Sequence, residues 1–136
     1  MSDPDNYFNR MLRGQTPKPP VLTLLGGRMV AVDADAGTLS ATYEAQAAFL
    51  NPAGTVQGGM LSAMLDDLTA SLVDATLAAG QGVATLNLNV SFLRPAQVGT
   101  LTGTITGQDR GFHSLGMMRC QHASRKWSLS KKVSAV

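Results

Sequence analysis

Residues 59–79 have the spacing of a helix, yet nearly every face of that helix is apolar. A helix that is hydrophobic all round cannot lie on a surface; a sheet must wrap it, or a second subunit must cover it. The flanking residues supply the sheet. Two strands near 27–33 and 38–46 are joined by Asp33-Ala34-Asp35-Ala36-Gly37, a good hairpin turn. Past the helix stop at Gly80-Gln81-Gly82, residues 85–92 alternate strictly, with Leu86, Leu88, Val90 and Phe92 on one face. Arg94-Pro95 ends that strand. Thr100, Thr102, Thr104 and Thr106 line one side of the next, and residues 114–122 and 126–135 complete the set. Upstream, residues 4–14 suit a short amphipathic helix, and Pro17, Pro19 and Pro20 lead from it into an extended segment. Strands joined by short turns imply an antiparallel sheet. The expected class is α+β: one domain over 1–136, with residues 1–20 as helix and Pro-rich lead-in, and a curved sheet around one long central helix.

With 136 residues there is room for a real core and little for a second domain. Charged residues make up 15% of the chain, below the usual share, which points to surface buried between subunits. Open sheet edges point the same way, since pairing them across a two-fold axis removes them. The single cysteine, Cys120, cannot form an internal disulfide and favours a reducing, cytoplasmic setting. No apolar run is long enough to span a bilayer, so no membrane partner is expected. Net charge is +2, but the half beyond Arg94 is distinctly basic. Without interleaved aromatics or a recognition-helix pattern, that charge suits a phosphate-bearing ligand better than a nucleic acid.

The chemistry gathers at the start of the central helix. Residues 51–59 read NPAGTVQGG and run directly into MLSAMLDD, which ends on Asp66 and Asp67. First-turn amides of a helix have no internal acceptors and attract negative charge. A carboxylate in an apolar helix is costly unless something uses it. An oxyanion donor beside a base or nucleophile is the equipment of acyl transfer. Asp66 lies about 100° around the helix from Asp67 among small and apolar neighbours. Asp67 shares a face with Asp74 and suits a structural hydrogen bond or a subunit contact. Gly58-Gly59 also suits a turn needing positive φ, and Asn51 before Pro52 suits a turn-holding residue. Neither His113 and His122 nor the lone cysteine has metal-ligand spacing. No Ser-His-Asp set, P-loop or dinucleotide fingerprint occurs.

The pattern Asn51-x-x-Gly54-x-Val56-Gln57-Gly58-Gly59, Asp66 eight residues after Gly58, and the strand from Thr85 to Pro95 resemble the hot-dog acyl-CoA thioesterases. The similarity is to the PaaI-like (phenylacetate-pathway) branch of the 4-hydroxybenzoyl-CoA thioesterase superfamily, and it covers roughly residues 23–121. The resemblance implies a hot-dog fold, Asp66 as the catalytic carboxylate and the Gly58 N–H as receiver of the thioester carbonyl. It gives Gln57 the place where many relatives carry histidine, so this side chain can donate a hydrogen bond but cannot titrate near neutral pH. Asn51 matches a position that helps hold the water or the turn. Thr85 matches a hydroxyl that orients the water and is contributed by the second subunit. Gly59, Arg94, Arg110 and His113 are the substrate-binding candidates, although Phe112 stands where relatives commonly carry an arginine.

The activity implied by the resemblance is hydrolysis of acyl-CoA to a free acid and coenzyme A, with Asp66 as general base or nucleophile. No metal or redox cofactor is expected, coenzyme A being part of the substrate. The partners are that substrate and further copies of the chain: a homodimer with the site between subunits, and a homotetramer beyond it. A non-catalytic protein that binds or senses acyl-CoA on the same fold is the alternative. A dehydratase or hydratase would need a histidine before the helix, where Gln57 stands.

Overall fold

The structure, a computed structural model, describes residues 4–109, 113–120 and 129–135, with side chains described for residues 4–107. The helices are α1 (Tyr7–Leu12), α2 (Pro20–Leu24) and α3 (Gly58–Asp74). The strands are β1 (Arg28–Asp33), β2 (Thr38–Ala45), β3 (Val83–Leu88), β4 (Gly99–Asp109), β5 (His113–Cys120) and β6 (Leu129–Ala135). They form one antiparallel sheet in the order β1-β2-β4-β5-β6-β3, with α3 packed against β2 through β6. This is the hot-dog arrangement.

Alternation decides which side chains meet the helix. Leu39, Ala41, Tyr43 and Ala45 of β2 point inward, as do Leu101 and Ile105 of β4, and all are buried. The facing residues of α3 are Met64, Leu65, Leu68 and Leu72, also buried. On the outer face Thr38, Ser40 and Thr42 pair with Thr106, Thr104 and Thr102, the polar row that the two-residue period predicts.

Four local expectations differ from what the chain does. Pro20 starts α2 instead of an extended segment, because its fixed φ and missing N–H suit the first helical position. The central helix ends at Asp74, short of residue 79. At its end Thr76 Oγ1 donates to Val73 O at 2.7 Å, and just beyond it Asn6 Nδ2 donates to Leu77 O at 2.8 Å. The strand expected over 85–92 stops at Leu88, and residues 89–98 run as irregular chain back towards the start of α3. Within β3 the register shifts between Ala84 and Asn87, and Leu86 is exposed while Leu88 and Val90 are half-buried. That shift breaks the single apolar face that strict alternation implies.

Candidate active site

The turn before α3 is held by Asn51. Its Oδ1 accepts from Ala53 N at 3.0 Å and from Thr55 N at 3.1 Å, and its Nδ2 donates to Thr55 Oγ1 at 3.0 Å. Gly54 sits in this turn at φ 77°, a conformation that side chains disfavour. Gln57 N donates to Phe49 O at 2.8 Å, and Val56 N to Ala96 O at 2.9 Å. These bonds aim the chain at the head of the helix. The Asn51 side chain thus closes its own turn, while the exposed Gln57 is the N-cap residue without a side-chain capping bond.

The helix head is therefore open. Met60 N and Leu61 N both donate to Gln57 O, whereas the amides of Gly58 and Gly59 meet no hydrogen-bond acceptor among the described residues. Neither glycine has positive φ, so the turn explanation for the pair does not apply. A Cβ at Gly58 would lie close to the Phe92 ring, 3.1 Å from its Cζ. At Gly59 a Cβ would meet open space.

Two turns along, adjacent carboxylates take opposite directions. Asp67 turns to the sheet, where Tyr43 Oη donates to its Oδ2 at 2.7 Å. Tyr43 is wholly buried, and its phenol is pushed well above its ordinary range by burial, then by the Asp67 charge and the hydrogen bond. Asp66 turns towards the sheet edge, where the exposed Thr85 donates from Oγ1 to Asp66 Oδ1 at 2.7 Å. The hydroxyl and the carboxylate thus stand together on one chain. The two remote side chains, from β2 and β3, fix both carboxylates.

Arg94 is exposed, two residues past Phe92. His113 opens β5, paired through its backbone with Lys132, and its side chain lies outside the described residues. Arg110 also lies outside them. Among the described residues, no three His, Cys, Asp or Glu side chains gather as a metal site requires. No described helix is long and apolar enough to cross a membrane.

A sequence profile of the thioesterase superfamily matches residues 53–114, a stretch holding the end of the turn, α3, the Asp66–Thr85 pair and Phe92. A phenylacetic acid degradation-related protein from Ralstonia eutropha JMP134 is 48% identical, with 96% of this chain and 100% of that one covered and a TM-score of 0.89. The chain belongs to the thioesterase superfamily. Its relatives of known structure place it in the PaaI-like branch of the hot-dog thioesterases. The Escherichia coli PaaI protein from the phenylacetic acid degradation operon shares the fold at 20% identity, TM-score 0.78, over 95% of this chain and 93% of that one. A thioesterase from Haemophilus influenzae does so at 18% identity, TM-score 0.74, over 100% and 95%. No curated protein sequence matches the chain. Membership in this superfamily supports thioester hydrolysis as the activity.

Two functional contacts escaped the sequence. Tyr43 reads only as an inward residue of an alternating strand, and nothing in its spacing pairs it with Asp67. Phe92 reads as one more apolar strand residue, and its contact with Gly58 depends on the strand ending early.

Proposed function

We propose that this thioesterase hydrolyses acyl-CoA thioesters to a free carboxylic acid and coenzyme A. The observation that carries the reading is the Thr85–Asp66 hydrogen bond, downstream of a Gly58 amide that has no hydrogen-bond acceptor among the described residues. The thioester carbonyl sits on the Gly58 N–H, with Gln57 as second donor, and the amide stabilises the oxyanion as it forms. Asp66 takes a proton from a water that Thr85 helps to hold, and the water oxygen bonds to the carbonyl carbon. Collapse of the tetrahedral intermediate breaks the C–S bond, and the departing thiolate recovers a proton. Asn51 serves by fixing the turn that presents Gly58. Gly59, Arg94, Arg110 and His113 are the groups for the rest of the substrate, the cations meeting the phosphates of coenzyme A.

Spacing supports a site shared between chains. Eight residues of helix separate Gly58 from Asp66, an axial rise of about 12 Å, whereas reacting groups must come within about 3.5 Å. The Gly58 of one protomer therefore works with the Asp66 and Thr85 of another, in a homodimer carrying two sites and pairing further into a homotetramer. The exposed edge strand β3, with Leu86 69% exposed, is a surface suited to that pairing. The mechanism needs no metal or redox cofactor, and a reducing cytoplasm suits a chain whose one thiol has no internal disulfide partner.

The test monitors free-thiol release from aryl- and alkyl-acyl-CoAs by the wild type and Asp66→Asn, with the oligomer checked for both. Wild-type turnover that falls by about 10²–10⁴ in the variant supports the reading. Acyl-CoA binding by both proteins, with thiol release by neither, replaces the enzyme with a binding module.

A further inference from the structure

The first two residues of α3 are the least restrained part of its backbone. Gly58 and Gly59 have no side chain to hold them, and their amides meet no hydrogen-bond acceptor among the described residues. One side chain reaches back to the pair. Half-buried Ser62, one turn along the helix, donates from Oγ to Gly58 O at 2.9 Å. Serine is a poorer helix former than alanine, and a hydroxyl returned to the preceding turn slightly destabilises or bends a helix. Helix stability therefore does not account for a serine here.

Its place and direction do. Residues 58, 62 and 66 follow at intervals of four, so Ser62 stands on one face of α3 between Gly58 and Asp66. The carbonyl it grips belongs to the Gly58–Gly59 peptide, whose other polar group is the open Gly59 N–H. A hydrogen bond on a carbonyl polarises its peptide and strengthens the N–H as a donor. The preceding peptide, which carries the Gly58 N–H, is loaded in the same way: Gln57 O accepts from Met60 N at 2.9 Å and from Leu61 N at 3.2 Å. We infer that Ser62 is a positioning residue for the hydrolysis: its hydroxyl clamps the glycine pair and polarises the second amide, so that the Gly59 N–H joins the Gly58 N–H on the oxyanion. This rests on the proposed seating of the thioester carbonyl at Gly58. Donors fixed before the reaction act on the charge that develops during it, so the effect falls on the chemical step more than on binding.

The experiment compares the wild type, Ser62→Ala and Ser62→Thr, using whichever aryl- or alkyl-acyl-CoA the wild type cleaves fastest. It reads kcat, KM, the urea midpoint and the amide resonance of Gly59 by NMR. Ser62→Ala should lower kcat about three- to tenfold, the worth of one hydrogen bond, with KM unchanged. It should also unfold no earlier in urea, alanine being the better helix former, while the Gly59 resonance moves. A threonine hydroxyl can make the same bond, as Thr69 Oγ1 does to Leu65 O at 2.9 Å, so Ser62→Thr should keep kcat and the resonance near wild type. An unchanged kcat or an unmoved Gly59 resonance in Ser62→Ala would overturn the inference and leave the hydrolase reading standing. So would a loss confined to KM, a loss that Ser62→Thr shares in full, or one that follows a lowered urea midpoint. A wild type that cleaves none of the esters overturns the hydrolase reading, and the role of Ser62 with it.

Discussion

Asp66 and Asp67 are neighbours in the chain and belong to different parts of the molecule. Asp67 is tied to the packed interior through a wholly buried tyrosine of β2, whereas Asp66 is tied to an exposed threonine of the edge strand β3. A rotation of about 100° along one helix separates the two settings. The interior bond ties α3 to β2 in the middle of the sheet, and the outer one ties it to β3 at the sheet edge. Rigidity on one side of a helix is what makes a defined geometry possible on the other.

The sharpest way to break this contrast is to exchange carboxylate for amide at each position. Asp66→Asn should lower kcat by about 10²–10⁴ with an unchanged denaturation midpoint. Asp67→Asn should keep most of the turnover and lose about 1–3 kcal/mol of stability, because the buried Tyr43 hydroxyl loses its charged acceptor. If the two variants behave alike in both assays, the division between the two sides of the helix is wrong.

The partners give smaller effects of the same sign. Tyr43→Phe should cost about 1–2 kcal/mol in urea unfolding at pH 7. It should also remove an alkaline dependence. The unfolded phenol loses its proton near pH 10, while the folded one is raised and keeps it. The wild type therefore holds this contribution fully below about pH 10 and loses it as the pH climbs further, and the Phe variant lacks that slope. Thr85→Ala should reduce kcat about tenfold, the worth of one hydrogen bond to a charged group, with Thr85→Ser restoring it. A loss confined to KM would remove Thr85 from the water-holding role.

The smallest effect concerns the last residue of α3. Burial raises the pKa of Asp74, and its charge faces the negative end of the helix dipole. The folded state holds the Asp74 proton more tightly than the unfolded state does. Stability from this group is thus present below the unfolded value near 3.8 and falls as pH rises through the raised folded value. Asp74→Asn should accordingly stabilise the protein at pH 7, by about 0.3–1 kcal/mol from the dipole alone, and the gain should vanish in acid.

Much of this was legible because it is local. The start of α3, the hairpin at residues 33–37, the inward and outward rows of β2 and β4, and Asn51 closing its turn all stem from neighbours within a few residues. What was hidden depends on distant chain. Asn6 bonds the chain just past the early end of α3, the alternation of residues 85–92 fails where the chain leaves β6 to cross the helix head, and Phe92 arrives beside Gly58. Each is a contact between segments that no spacing rule connects. The resemblance to a family supplied the roles proposed for Asp66, Gly58 and Thr85.

The bond from Asn6 to the carbonyls beyond α3 has a consequence for the order of assembly. Asn6 reaches across 71 positions to Leu77 O at 2.8 Å, and its own Oδ1 starts α1 by accepting from Asn9 N at 2.9 Å. On a ribosome, the early segment emerges long before its acceptor exists. Closing so long a loop carries an entropy cost that only later contacts can offset, so this seam forms late. Helix α1 is thereby among the last elements to dock, and it acts as the latch on a sheet already formed.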